Sequence, residues 1–346
     1  MKTVAFFNNK GGVGKTSLVY HIAWMLHLLG HRVVVADLDP QANLTTFFLK
    51  EDQILALFES EEGIARTIFQ AFKPILEATG DLAVVTPIDI ADGLTLIPGD
   101  LALSEAEDAL SREWSECLSS NPSSKIKAFR TECGFYRAIE TVAKARNADI
   151  ALIDVGPNLG SLNRAALIAS DYVVIPLGSD AFSLQGLRNV GRRIREWRKD
   201  WATKRDGAPE GLNFAVPDGA MQPMGYLLSR FSIRQGRQSK SYQSWANQMP
   251  SAYQQSVLGL AESAPSDPRS DPNCLAELKD YRSLMPMAQD ANKPIFKLQT
   301  VDGAIGAHQS GVSAAYEDFQ TLTNKILTLI ETSSMNDQIE MPLPTL

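Results

Sequence analysis

The chain has 346 residues, 44% of them hydrophobic, and a formal net charge of −7 at pH 7. That is enough apolar sequence for one large domain or two modest ones. The net negative charge argues against a protein that binds nucleic acid over its whole surface, but it does not exclude local basic patches. Its three cysteines lie far apart with no C-x-x-C spacing, which argues against a disulfide framework or a cysteine-rich zinc site and fits a reducing compartment.

The first predicted elements are a strand, a glycine-rich loop and a helix. The apolar run from Val4 to Phe7 precedes the loop, and an apolar helical pattern from Leu18 to Leu29 follows it. This order is the context of a phosphate-binding loop, in which backbone N–H groups and the positive helix end bind phosphate oxygens. The predicted nucleotide-binding residues are Lys10, Gly11, Gly12, Val13, Gly14, Lys15, Thr16 and Ser17. Lys15 is expected on the β/γ-phosphates, and the Thr16 hydroxyl on Mg²⁺.

A second lysine, Lys10, stands at the start of the loop. The run KGGVGKT, from Lys10 to Thr16, resembles the deviant Walker A motif of the ParA/MinD family of P-loop ATPases, and most of all the ParA-type partition ATPases. The resemblance implies an α/β fold: a P-loop NTPase-like, mostly parallel β-sheet with helices on both faces. It also implies a catalytic role for Lys15 and for Lys10, which in the family reaches across an ATP-bound homodimer to the partner's nucleotide.

Two aspartates follow the next predicted strand, Arg32 to Ala36. Asp37 and Asp39 lie at the end of that strand, where α/β folds bind their ligands. One carboxylate of such a pair can hold a Mg²⁺-bound water and the other can orient the attacking water, although an ordinary Asx turn fits the same residues. The segment from Asp37 to Asn43 resembles the family's D-x-D-P-Q-x-N switch I, which implies the hydrolytic role and a contact to the metal for Asp39.

A second aspartate site is predicted at the end of the strand Ile150 to Asp154. An apolar strand that ends in aspartate has the form of Walker B, whose carboxylate binds Mg²⁺, usually through water, so Asp154 is a predicted metal ligand. The following segment, Val155 to Gly160, resembles the family's D-x-P-P-x-L-G switch II. Gly156 stands where the family has its first proline, which predicts a less rigid loop.

Between the two aspartate sites the patterns predict helices at Gly63 to Leu76, from Ser104 onward and at Phe135 to Ala145, with a strand at Leu94 to Ile97. Further strands are expected at Tyr172 to Leu177, Met224 to Leu228 and Ile295 to Leu298, and further helices at Leu184 to Trp201 and Gly311 to Ile330. The expected domain organisation is one ATPase domain over 1–346, with an atypical insertion at about 200–283 and a polar tail at 333–346.

Basic residues form two candidate DNA-binding clusters. Arg188, Arg192, Arg195 and Lys199 share one face of the predicted helix, and Arg230 and Arg234 follow a later strand. A solvated basic face and a contact with DNA phosphates or an acidic partner both fit this pattern. Ser229 stands where relatives often have an asparagine that reads the purine, and adenine is still the expected base.

Membrane attachment is not expected. No apolar run approaches the roughly 18 residues of a membrane span, no targeting segment is expected before the first strand, and the tail lacks the basic residues of an amphipathic membrane helix.

The family resemblance implies a slow ATP hydrolase that uses ATP and Mg²⁺, dimerises on ATP and answers to a ParB-like activator. Such proteins position plasmids, chromosomes or protein cargo in the cytoplasm, often through DNA binding without sequence preference on the nucleoid. The atypical segment 200–283 leaves a second hypothesis open. The chain would then be a nucleotide-gated interaction switch in a defence or regulatory complex, without cargo movement.

Overall fold

The structure is a computed structural model that describes residues 1–58, 64–231, 233–234, 237–238, 240–261 and 264–339. Within these ranges the strands are β1 (Lys2–Phe6), β2 (Val33–Leu38), β3 (Ile88–Ala91), β4 (Leu94–Ile97), β5 (Ile150–Val155), β6 (Tyr172–Leu177), β7 (Gln222–Phe231), β8 (Ile233–Arg234), β9 (Arg237–Gln238) and β10 (Cys274–Lys279). The helices are α1 (Lys15–Leu28), α2 (Asn43–Phe48), α3 (Glu51–Leu57), α4 (Ile68–Leu76), α5 (Ala106–Glu116), α6 (Pro122–Glu132), α7 (Gly134–Arg146), α8 (Ser161–Ile168), α9 (Ala181–Asp206), α10 (Lys240–Ala246), α11 (Met249–Tyr253), α12 (Leu284–Asp290) and α13 (Ala307–Ile339).

One sheet organises the described part of the chain. Its strand order is β10-β7-β6-β1-β5-β2-β4-β3, while β8 and β9 pair separately as a hairpin. Neighbouring strands in the sheet are parallel except β3 and β4. The carboxyl ends of β1, β2, β5, β6 and β7 therefore meet at one edge, where α/β sheets bind their ligands. The predicted fold class, α/β with a mostly parallel P-loop NTPase-like sheet, is confirmed.

Helices cover both faces of the sheet because successive strand residues point to opposite sides. In β1, Val4 and Phe6 join an apolar core with helices α1, α2 and α13. Ala5, together with Phe7 just after β1, joins a second core with helices α4 to α9. The result is a three-layer arrangement with the sheet between two layers of helices. Among the described helices, none has the length and apolar character that a membrane crossing requires.

The expected last strand at Ile295 to Leu298 is wrong. Ile295–Lys297 is a single 3₁₀ turn, preceded by Pro294, and its Ile295 and Phe296 side chains are buried. The edge of the sheet beside β7 is instead occupied by β10, Cys274–Lys279, which the sequence patterns did not predict. A short apolar run fits both a strand and a buried turn, and only the availability of a neighbouring strand decides between them.

Several predicted helices differ from the observed ones at their ends. The predicted helix from Gly63 begins only at Ile68, because the Thr67 side chain caps it by accepting the N–H of Gln70. The predicted helix Leu184 to Trp201 extends to Ala181–Asp206, with Asp180 as its N-cap. The closing helix continues to Ile339, into the predicted polar tail, and residues 340–346 lie outside the described part of the chain.

A buried histidine connects the first helix to the C-terminal region. His21 Nδ1 donates to the Ser17 carbonyl oxygen at 2.6 Å, and Nε2 accepts the backbone N–H of Ile295 at 3.1 Å. The imidazole ring stacks on Phe319 with 4.8 Å between ring centroids. Both ring nitrogens are thus satisfied in one neutral tautomer. Burial lowers the pKa of His21 from 6.5 to about 4, so the imidazole stays neutral in the folded protein.

This histidine predicts an acid-sensitive fold. The unfolded chain binds a proton at His21 below pH 6.5 whereas the folded chain resists it down to about pH 4, so folding stability falls as the pH drops through this window. The pKa shift of His21 changes the free energy of unfolding by about 3 kcal/mol across this window. In urea unfolding at several pH values, the free energy of unfolding should depend less steeply on pH for His21→Phe than for wild type. The variant should also be less stable than wild type at neutral pH. Equal slopes for wild type and His21→Phe would contradict the assignment.

Candidate functional site

The glycine-rich loop joins β1 to α1 at the carboxyl edge of the sheet. Gly12 and Gly14 have φ angles of 75° and 84°, a left-handed conformation that side chains with a Cβ rarely adopt. Gly14 is also the N-cap of α1 and has no side chain to cap the first N–H groups of the helix. These N–H groups are therefore free to bind an anion at the helix N-terminus, as the sequence predicts.

Beneath the loop, Lys15 and Asp154 form a buried ion pair. Lys15 Nζ lies 3.0 Å from Asp154 Oδ1, and the two side chains are 7% and 0% exposed. Burial raises the pKa of Asp154, while the Lys15 ammonium and the Thr16 hydroxyl oppose that rise. The parallel pairing of β1 with β5 brings these groups together, because it aligns Phe6 with Asp154 at the ends of the two strands.

The other carboxylate oxygen of this pair is free. Asp154 Oδ2 is buried and has no hydrogen-bond partner among the described residues. A buried anionic oxygen without a donor is costly unless a cation or its bound water satisfies it. Mg²⁺ typically takes one or two protein ligands together with phosphate oxygens and waters, so the pair of Thr16 and Asp154 fits the predicted metal site.

The two switch I aspartates have different surroundings. Asp37 is fully buried, and its Oδ2 accepts the Thr45 backbone N–H at 2.8 Å and the Thr45 hydroxyl at 2.7 Å. Burial and the neighbouring Asp154 raise the pKa of Asp37 to about 7. Among the described residues, Asp39 Oδ1 accepts only the local Gln41 N–H, at 3.0 Å. Thr45 on α2 thus holds the Asp37 carboxylate, a contact that the sequence did not reveal. Asp39 is the carboxylate that can still accept further hydrogen bonds.

Lys10 lies at the rim of the site and contacts its own chain. Its Nζ is 2.5 Å from Asp180 Oδ2 and 3.2 Å from Ser183 Oγ, at the start of α9. Burial alone would raise the pKa of Asp180, but the Lys10 ammonium and the Ser183 backbone N–H together lower it. The Lys10 and Asp180 side chains are 33% and 41% exposed, so the ammonium is held in place yet is reachable from outside.

Switch II is fixed by residues from two helices. The Asn163 amide, buried on α8, donates to the carbonyl oxygens of Gly156 and Asn158 at 2.7 and 2.8 Å. The Glu107 carboxylate on α5 accepts the backbone N–H groups of Ser161 and Leu162 at 2.5 and 2.9 Å. Glu107 thereby caps α8, the helix that follows switch II. No signal in the sequence identifies it, since 54 residues separate it from Ser161.

A cavity beside the phosphate loop is the candidate base pocket. It has a volume of about 360 Å³ and its lining includes Gly14, Ser17, Tyr281, Arg282 and Phe319. Ser229 also lines it, but its hydroxyl donates to the Val13 carbonyl oxygen at 2.6 Å. Ser229 therefore supports the loop backbone, and base recognition would fall to the other residues of the pocket.

The predicted basic stripe lies on α9, with most of its members on the surface. Arg188, Arg192 and Lys199 are exposed, whereas Arg195 is partly buried and donates to the Gln255 carbonyl oxygen at 3.1 Å. The side chains of the second predicted cluster, including Arg230 and Arg234, lie outside the described part of the structure.

Arg198 lies beside this basic stripe on α9 and is not among the predicted DNA-binding residues. This residue is half-buried in a groove of about 420 Å³ that Arg195, Lys199 and Arg205 also line. Burial lowers the pKa of Arg198, and the described residues offer its guanidinium no hydrogen bond or ion pair. Asp218 also lines this groove and pairs with Arg205 at 2.8 Å, so the groove carries charges of both signs at the carboxyl-terminal part of α9.

Comparisons with known proteins match the part of the chain that contains most of this site. A family model described as an AAA domain matches residues 1–205. The sporulation initiation inhibitor protein Soj of Bacillus subtilis is 31% identical over 195 residues, which are 56% of this chain and 65% of Soj. The chain thus covers slightly less than two thirds of that relative.

Two solved structures resemble the whole fold. Protein DIP2308 of Corynebacterium diphtheriae superposes with a TM-score of 0.66 at 23% identity, over 95% of this chain and 98% of that one. An ATP complex of a McdA variant from Cyanothece superposes with a TM-score of 0.60 at 17% identity, over 94% and 96%. At these identities the similarity establishes the fold alone.

Proposed function

The chain belongs to the ParA/MinD family of P-loop ATPases, and from that membership we propose that it is a Mg²⁺- and ATP-dependent ATPase that dimerises on ATP and helps to position DNA or another cargo. One observation carries the proposal: the phosphate loop, the Asp154 carboxylate and the Asp39 carboxylate meet at one edge of the sheet. These are the parts that phosphoryl transfer to water needs.

The residues would act as follows when ATP binds. Lys15 would exchange its ion pair with Asp154 for the β/γ-phosphates, where its ammonium offsets the charge that develops during transfer. Thr16 and the free oxygen of Asp154 would hold Mg²⁺, directly or through water. Asp39 would accept a hydrogen bond from the attacking water and orient it.

Dimerisation would bring Lys10 to the partner's nucleotide. The Lys10 ammonium already lies at the rim with one third of its side chain exposed, and its charged partner Asp180 is also partly exposed. Partly exposed ion pairs are worth about 1 kcal/mol or less, so a triphosphate from a second subunit would compete successfully for this ammonium. Each subunit would then complete the other's site.

Lys10→Ala tests this function. The variant should still bind ATP, because Lys15 and the loop backbone remain, but it should stay monomeric with ATP and Mg²⁺ and hydrolyse ATP far more slowly than wild type. Light scattering measures the mass and a phosphate-release assay measures the turnover. Lys50→Ala, at an exposed lysine of α3's N-cap, is the control and should dimerise normally. An ATP-dependent dimer with normal turnover in Lys10→Ala would contradict the proposal.

DNA binding would use the basic face of α9. Arg188, Arg192 and Lys199 are exposed, and the groove around Arg198 adds a guanidinium without a partner in the described structure. A few cations on a chain of net charge −7 bind phosphate weakly. An ATP dimer would present two such surfaces, and this avidity would convert weak contacts into useful affinity.

A charge-reversal experiment tests the DNA proposal. Arg192→Glu with Lys199→Glu should weaken duplex binding equally for all sequences and flatten its salt dependence, because fewer counterions are released. Fluorescence anisotropy of a random duplex at several salt concentrations, with ATP and with ADP, measures this. The control is Lys73→Glu with Lys144→Glu, which changes the net charge equally at exposed sites on α4 and α7. No binding by a verified ATP dimer at low salt would favour the interaction-switch function instead.

The remaining parts of the proposal follow from the family. Basal hydrolysis would be slow and a ParB-like protein would stimulate it. The protein would act in the cytoplasm, on the nucleoid where DNA binding retains it. A pull-down with an ATP-trapped variant, followed by identification of the bound proteins, tests for the activator.

A further inference from the structure

Gly156 leaves a gap between the two switch segments. A Cβ atom built at this position would lie 3.4 Å from Asp39 Oδ1 and 3.6 Å from Asn158 Nδ2, with Pro40 Cδ also at 3.6 Å. The switch I carboxylate and the switch II amide therefore border the same small space. That space exists because the residue at position 156 has no side chain.

The amide of Asn158 is fixed in one orientation. Its Oδ1 accepts the Gly160 backbone N–H at 2.9 Å and lies 3.1 Å from the Asn163 amide nitrogen, which donates over shorter distances to the Gly156 and Asn158 carbonyl oxygens. Asn163 is fully buried and itself anchored on the Gly156 carbonyl oxygen. Because the Gly160 N–H donates to the oxygen end and the Asn163 amide nitrogen also faces it, the hydrogen-bond network assigns the NH₂ end to the side that borders the gap.

The NH₂ group of Asn158 makes no hydrogen bond in the described structure. Asn158 is exposed, and the described residues provide no acceptor for its Nδ2. On the other side of the gap, the Gln41 N–H holds Asp39 Oδ1 in place at 3.0 Å. A donor and an acceptor that border one methyl-sized space can together form a seat for a water molecule, which accepts a hydrogen bond from the first and donates one to the second.

We propose that this gap seats the water that attacks the γ-phosphate, and that Asn158 is a positioning residue for that water. The water donates one proton to Asp39 and accepts a hydrogen bond from the Asn158 amide, which leaves its other lone pair for phosphorus. The bond from this oxygen to the γ-phosphorus forms as the bond to the bridging oxygen breaks. ADP leaves with that electron pair, and the proton passes from Asp39 to phosphate or solvent. The inference rests on the proposed ATP hydrolysis.

Gly156→Ala tests the seat directly. The added methyl group would meet its neighbours at ordinary contact distances, and Gly156 has no positive φ that would strain an alanine, so the fold should be kept while the space for water is lost. We expect kcat to fall about 10- to 100-fold, because the attacking water is misplaced, with KM for ATP unchanged. Asn158→Ala should show the same split between kcat and KM. The control Gly207→Ala, which also meets only ordinary contacts at the end of α9, should keep the wild-type kcat.

A second measurement separates positioning from folding. Light scattering after ATP addition should show that Gly156→Ala and Asn158→Ala form the dimer as wild type does, and that the dimer then lasts about 10 times longer or more, because hydrolysis ends it. A wild-type protein that does not hydrolyse ATP would overturn the proposed function itself. If wild type hydrolyses ATP and both variants match its kcat and dimer lifetime, the proposed function stands and the water seat is wrong. Loss of ATP-dependent dimerisation in both variants would also overturn the seat, since it would show a contact to the nucleotide ground state.

Discussion

Lys15→Ala is expected to abolish ATP binding and also to destabilise the nucleotide-free protein. The Lys15 ammonium is the charge that the phosphate loop offers to the β/γ-phosphates, and charge-assisted hydrogen bonds of this kind contribute about 1.5–3 kcal/mol each. The loss of ATP affinity should therefore be about 100-fold or more, as measured by calorimetry. Unchanged affinity would show that the nucleotide binds elsewhere.

The destabilisation follows from the buried ion pair. Without Lys15, Asp154 is a carboxylate with 0% exposure and no ion-pair partner in the described part of the chain. Breaking a buried pair in this way costs about 3–5 kcal/mol. The double variant Lys15→Ala with Asp154→Asn removes the uncompensated charge, so it should recover most of the stability in urea unfolding. It should not recover ATP binding. This separates a lost ligand contact from a damaged fold.

Asp39→Ala is expected to trap the ATP dimer. The carboxylate orients the attacking water but makes just one hydrogen bond to its own chain in the described structure, the accepted N–H of Gln41, so its removal should leave folding and ATP binding nearly intact. Loss of a positioned base costs about 100- to 10,000-fold in rate. Phosphate release should fall by that amount while light scattering shows a persistent dimer. Wild-type turnover would move the hydrolytic role elsewhere, first to Asp154.

Asp37→Asn is the matched control for this result. Asp37 accepts two hydrogen bonds from Thr45 and is fully buried, so the change should alter the stability of α2 and the switch I loop. It should not produce the combination of normal ATP binding and lost hydrolysis. The two carboxylates are two residues apart in sequence, and the experiment assigns them separate roles.

The sequence by itself determined the phosphate loop, both aspartate segments and the fold class. These features are local: a strand, a loop and a helix follow one another within a few residues, and apolar runs long enough to form buried strands precede Asp37 and Asp154. Parallel strands then place their carboxyl ends at one edge, so the meeting of Lys15 with the aspartates was also predictable. The roles of these residues in hydrolysis stay predictions.

The tertiary structure alone decided how those groups are held. Lys10 and Asp180 are 170 residues apart, His21 and Ile295 are 274 apart, and Glu107 reaches α8 across 54 residues. No periodicity encodes such pairs, because they depend on which elements become neighbours after folding. The same reason explains the wrong strand at Ile295 to Leu298: a strand needs a neighbour, and β10 had taken that place beside β7.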